Sequence, residues 1–219
     1  MPNRLSEHRI LAAWEQGAGR RPLDQALALL WAAEGVDAAD LPLRTRNHRL
    51  LKLYSATFGP TLDLVAECPS CGEMLDVSVS AVELAEGMGA VSDASATRGS
   101  LAITSRHLAA LSGVASEAQE AALAAMIAPD RADDEERDLV AAAVAESEIT
   151  LGLTCADCGH AWSEAFDPVA PVWEETASAA RALLRQVAQL AQSYGWTEDD
   201  VLRLSPTRRA AYLQLAGAA

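Results

Sequence analysis

The four cysteines of the chain stand in two pairs of identical spacing, Cys68-Pro-Ser-Cys71 and Cys155-Ala-Asp-Cys158, each followed by a glycine, Gly72 and Gly159. A two-residue spacer lets one tight turn present both sulfurs to a single ion, and four thiolates make the tetrahedral set that zinc prefers. The glycine lets the backbone curl closely around the sulfurs, and its N–H can donate to one of them. Two such units read as the knuckles of a zinc ribbon, with Cys68, Cys71, Cys155 and Cys158 holding one structural Zn2+. The 83 residues between the pairs far exceed the usual ribbon spacing, so that stretch reads as an insertion between two hairpins. Disulfides do not suit a cytoplasmic chain, and a thioredoxin-type redox site needs one CxxC in a βαβ setting that neither pair has.

Four thiolates fill the coordination sphere and leave no place for a water nucleophile, which argues against catalytic zinc. His160 follows the second knuckle and has the chemistry to replace a cysteine. With four sulfurs already sufficient, a place beside the site or at the surface suits it better. His8, His48 and His107 have no carboxylate or nucleophile that the sequence places beside them. No GxSxG, P-loop, GxGxxG or HExxH occurs. The expectation is a protein that is not an enzyme and has no small-molecule substrate.

Charge narrows the partners. The 219 residues carry a formal charge of −14, and a phosphate-binding protein needs the opposite balance, so no nucleic acid is expected as partner. Residues 1–67 hold 8 acids and 8 bases and residues 168–219 hold 5 of each, whereas residues 81–148 hold 13 acids, 4 bases and 20 alanines. No run of 18 apolar residues exists, so no membrane insertion is expected. The opening MPNRLSEHRI lacks the apolar core of a secretory signal, which leaves a cytoplasmic expectation.

The elements that must position the cysteines follow from periodicity. Leu62, Leu64 and Ala66 alternate before Cys68, and Leu75, Val77 and Val79 alternate after Cys71; Ile149, Leu151 and Leu153 precede Cys155, and Ala161 through Phe166 follow Cys158. Each pair therefore sits at a hairpin tip. A helix is expected from Pro22, carrying Leu23, Ala26, Leu27, Leu30 and Trp31 and stopped by Gly35. A second is expected over Thr45–Phe58, where Arg44, Arg46, Arg49 and Lys52 form either a solvated face or a grip for an anionic partner. Residues 101–111 and 117–128 look helical, Gly87–Ser100 looks like a loop, and Asp130–Asp138 an acidic turn before another helix. Pro168 and Pro171 start a long helix whose stripe Trp173, Ala177, Ala180, Leu184, Val187, Ala191 and Tyr194 is core or a surface for a partner helix. Gly195 ends it, Thr197 with Asp200 forms a capping box, and Ser205-Pro206 starts the last helix. The fold class is α+β and mostly helical. Its parts are an N-terminal helical region (1–61), a split zinc ribbon (62–80 and 149–167), an acidic Ala-rich helical insertion (81–148) and C-terminal helices (168–219).

Three segments together, LLKLYSATFGPTLDLVAECPSCGEMLDVSV, CADCGHAWSEAFDPVAPVWEE and LLRQVAQLAQSYGWTEDDVLRLSPTRRAAYL, resemble proteins encoded with phage-tail-like contractile injection systems. The most specific element is YGWTEDDVLRLSPTRRAAYL at residues 194–213, and the C-terminal third is similar to baseplate hub assembly chaperones of T4-type phages. The resemblance covers about two-thirds of the chain and is poorest over 81–148. It implies a baseplate component or hub assembly factor whose partners are other baseplate, hub or spike proteins. Cys68, Cys71, Cys155 and Cys158 would be its metal ligands, and Tyr194, Gly195, Trp196, Arg208 and Arg209 its signature positions. Contact with a partner is one role for Tyr194, Trp196, Arg208 and Arg209; stapling helices and capping carboxylates is the other.

Two competing readings have less behind them. A nucleic-acid-binding zinc ribbon of the transcription-factor type exposes bases around its knuckles. Here residues 68–80 carry Glu73 and Asp76 with no base, and residues 149–167 carry Asp157, Glu164 and Asp167 with no base. A metal-dependent hydrolase would have to use His160 or His107.

Overall fold

The computed structural model describes residues 4–88, 102–127, 140–145 and 147–217. Ser6 lies outside the first helix, and its hydroxyl accepts the Arg9 N–H, which fixes the start of α1 (Glu7–Gly17). Pro22 opens α2 (Pro22–Glu34), and Gly35 closes it at φ +73°, a left-handed turn that suits glycine. α3 (Leu43–Thr57) begins after Pro42. Then come β1 (Thr61–Glu67), β2 (Met74–Ser80) and the short α4 (Ala81–Gly87), followed by α5 (Ser105–Ala110) and α6 (Ser116–Ile127). Residues 140–145 are helical. β3 (Ile149–Thr154) and β4 (Ala161–Phe166) lead into the 26-residue α7 (Val169–Tyr194), the short α8 (Glu198–Leu202) and α9 (Pro206–Gly217). The fold is α+β and mostly helical. Among the described residues the strands form two antiparallel two-stranded sheets, β1–β2 and β3–β4, as the alternating runs predict.

α7 is the spine. It packs against α1, α2 and α3 and carries α8 and α9 at its far end. Leu29, Leu30, Leu50, Leu51, Leu53, Val172 and Leu190 are fully buried where these helices meet, each worth about 1.5–3 kcal/mol of hydrophobic stabilisation. The α7 stripe is core, but its centre is turned. Val172, Thr176, Leu183 and Leu190 lie deepest together with Ala177 and Ala180, while Trp173, Leu184 and Val187 flank them half-buried and Tyr194 is exposed. In α2, too, Trp31 is half exposed and Leu29 takes the inner position, because neighbours on several sides leave a nearly uniform apolar helix whose spacing does not select one face.

The middle of the chain builds a second, smaller core of Leu111, Leu123, Ala124, Val140 and Ala143 against Leu43 and Ile103. The helix expected from residue 101 starts later, because the Thr104 hydroxyl accepts the His107 N–H and makes Thr104 the cap. Ile103 before it accepts the Leu43 N–H through its carbonyl. Gly87 belongs to α4 and Met88 caps its end; residues 89–100 of that expected loop and the acidic turn at 130–138 lie outside the described residues.

Arg44, Arg46 and Arg49 of the basic run on α3 form neither a solvated face nor a free grip. Arg46 is buried, donating to Asn47 Oδ1 at 2.8 and 3.0 Å and to Ser105 Oγ at 3.3 Å. Arg49 pairs with Glu34 at 2.6 Å, and Arg44 donates to the Met88 carbonyl. These cations tie α2, α4 and α5 to α3.

Candidate metal centre

Both hairpins are rooted in the helical core. Leu62 and Ile149 are buried there, and Val79 and Phe166 pack against it. The strands then run outward to their turns, where the cysteines sit. The two turns repeat one hydrogen-bond pattern. The Cys68 N–H donates to the Glu73 carbonyl at 2.9 Å and the Gly72 N–H to the Cys68 carbonyl at 2.9 Å. The Cys155 N–H donates to the His160 carbonyl at 2.9 Å and the Gly159 N–H to the Cys155 carbonyl at 3.0 Å. Gly72 and Gly159 have φ of +76° and +71°, so each closes the turn in the left-handed region where a side chain would be strained.

The turns meet. Cys68 Sγ lies 3.7 Å from Cys158 Sγ, and Cys71 Sγ lies 3.7 Å from Cys155 Sγ. All four sulfurs lie within 4.8 Å of one another. A tetrahedron of sulfurs bound at ~2.3 Å has edges of about 3.8 Å. A disulfide needs ~2.05 Å, so these are free thiols set at coordination distance. The group therefore fits one metal ion, each knuckle giving one buried sulfur (Cys68, Cys155) and one exposed sulfur (Cys71, Cys158).

The electrostatics suit a cation. Burial pushes the Cys68 thiol up, but the N–H groups of Cys71 and Ser70 and the neighbouring sulfurs outweigh it and bring it to about 7. The Glu73 N–H draws Cys71 down, yet the sulfurs of Cys158, Cys68 and Cys155 together with burial push it up to about 12. One thiolate forms readily and resists the next, until a positive ion balances them.

His160 takes no part in the sulfur group. Its ring is exposed and stacks on Trp162, centroids 6.1 Å apart and planes 13° apart, while its carbonyl completes the second turn. Among the described residues, His107 is used in capping α5, where its Nδ1 accepts the Thr104 N–H.

The signature positions of the C-terminal third lie elsewhere. Tyr194, Trp196 and Tyr212 form one aromatic group, with Trp196 stacked on Tyr194 (4.8 Å, 24°) and edge-on to Tyr212 (4.8 Å, 86°). This group staples the end of α7 to α9 across Gly195. Arg209 is 4% exposed, and its guanidinium grips the Glu7 carboxylate with two hydrogen bonds, one of 2.7 Å. It thus ties α9 to α1 and is used internally. Arg208, beside it on α9, is exposed, its N–H donating to Ser205 Oγ. The Glu7–Arg209 pair joins residues 202 positions apart, and no local pattern announces such a pair.

No helix among the described residues is long and apolar enough to cross a membrane. Comparison with protein-family models, with curated proteins and with solved structures finds no match.

Proposed function

We propose that the chain is a non-enzymatic baseplate component, or an assembly factor of the baseplate hub, in a phage-tail-like contractile injection system. In this reading it acts through protein–protein contacts, with one zinc ion as a structural joint and the cytoplasm as its place of work. The observation that carries the non-catalytic part is the four-sulfur group at the tips of two hairpins. Cys68, Cys71, Cys155 and Cys158 would hold the ion, and bound zinc would supply cross-linking rather than Lewis-acid chemistry, because four thiolates leave no site for substrate or water. The contractile-system part rests on the resemblance of residues 194–213 and the cysteine segments. Against a nucleic-acid ribbon stands the acidic surround of the knuckles, with Glu73, Asp76, Asp157 and Glu164 and no base on either hairpin.

The test is mass spectrometry of purified sheathed particles from the producing cell. A fixed ratio of this chain to spike and hub proteins supports a baseplate component. Its absence from particles that fail to form without its gene supports an assembly factor. Intact particles after gene deletion contradict both.

A further inference from the structure

The two hairpins are held at both ends and open in the middle. Leu62, Val79, Ile149 and Phe166 fix their bases in the core, the sulfurs bring their tips together, and between them lies a groove of about 400 Å3. Its wall includes residues 63–66 of β1 and 164–166 of β4, consecutive along each strand, together with the alternate residues Leu151 and Leu153 of β3 and Val77 of β2. A strand that shows one face offers alternate residues, whereas consecutive residues come into reach along an edge. Both sheets have two strands, so β1 and β4 each keep an edge with unpaired N–H and C=O groups among the described residues.

The chemistry of the groove is specific. Leu64, Leu151 and Phe166 give it an apolar floor, and Val65 beside them is 64% exposed. Four carboxylates, Asp63, Glu164, Asp167 and Glu174, line it, and no Lys, Arg or His does. Asp63 accepts the Ser78 hydroxyl at 2.6 Å, Glu164 the Trp162 Nε1–H at 3.3 Å and Asp167 the Val169 N–H at 3.0 Å. These neutral donors orient the carboxylates without cancelling their charge. Arg46 interacts with Asp167. Among the described residues no cation forms an ion pair with Asp63, Glu164 or Glu174.

We propose that this groove docks an extended segment of a partner protein in which basic and apolar residues alternate. The segment adds as a strand between β1 and β4, lays its apolar side chains on the floor and sets its Lys or Arg residues against the carboxylates. Phosphate backbones and anionic lipid surfaces are repelled by the same rim. The inference rests on the protein-contact part of the proposed function and not on the identity of the particle.

The test uses the full zinc-loaded chain and a labelled peptide of about ten residues alternating valine and lysine. The expected result is saturable one-to-one binding that weakens with salt and moves the backbone NMR signals of residues 63–66 and 164–167. Asp63→Asn, Glu164→Gln and Glu174→Gln combined should weaken binding roughly tenfold without lowering the zinc content. Glu117→Gln with Glu120→Gln, exposed acids on α6, should change it by less than about twofold. Equal weakening by both sets, signals moving only outside the groove, or no saturable binding would each overturn the proposal. None of these outcomes depends on where the protein is found in the cell, so they are separable from the particle experiment.

Discussion

Withdrawing the metal should loosen the fold by a calculable amount and leave the helical core standing. Cys71 and Cys155 are 84 positions apart, and an ion that binds both closes everything between them into one loop. In the chain-entropy model, a cross-link around a loop of that length raises stability by about 4.5 kcal/mol at 25 °C. A domain of this size shifts its Tm by roughly 2–4 °C per kcal/mol, so a strong chelator should lower Tm by about 9–18 °C. The helical far-UV signal should persist below the new Tm, since Leu62, Val79, Ile149 and Phe166 keep the hairpin bases in the core without help from the tips. The assay is circular dichroism melting with and without chelator, followed by return of zinc. Cys155→Ser supplies the cross-check: it should melt like the chelated protein and be indifferent to chelator, because both perturbations remove the same link. An unmoved Tm on verified metal loss would refute the reasoning, as would a further drop of similar size when the serine variant is chelated.

Other outcomes follow from the packing. Glu7→Gln leaves the Arg209 guanidinium buried without its carboxylate and should cost about 3 kcal/mol, measured by urea unfolding; Glu7→Gln with Arg209→Met should recover part of that loss. Gly17→Ala places a Cβ 2.6 Å from two ring atoms of Trp173 and should destabilise by about 1–3 kcal/mol, with Trp173→Leu relieving most of it. Burial, with Lys52, Arg49 and Arg44 nearby, holds His48 below its ordinary value of 6.5. The unfolded chain therefore takes up that proton first, so stability present above pH 6.5 should decline as pH falls below it, and His48→Gln should flatten the slope.

The hairpins were legible because their signals are local. Alternation at Leu62, Leu64 and Ala66 has period two, and a CxxCG turn carries its own geometry, so strand, tip and ligand could all be read within about twenty residues. Caps were legible for the same reason, as Thr197 with Asp200 illustrates. α1, inside the region read as helical, carries its own local signal in Ser6 as cap and in Ile10, Leu11 and Trp14 as an apolar face. What local reasoning left open was decided by distant partners. Arg46 reads as a solvated base until Ser105, 59 positions away, comes to meet it. Arg209 reads as a contact residue or as a cap for a carboxylate until Glu7 arrives from the other end of the chain. The groove is of this kind too, since Asp63 and Glu174, 111 positions apart, share it only in the folded chain.

The central claim is a closed four-sulfur metal centre that joins the hairpins and does no chemistry of its own. X-ray absorption at the zinc edge of the purified protein, with metal content measured on the same sample, tests it most directly. The account predicts one zinc per chain with four sulfur neighbours at about 2.3 Å and no oxygen or nitrogen ligand. A centre with fewer sulfurs and a light-atom ligand, from His160 or from water, would contradict it and reopen a catalytic role.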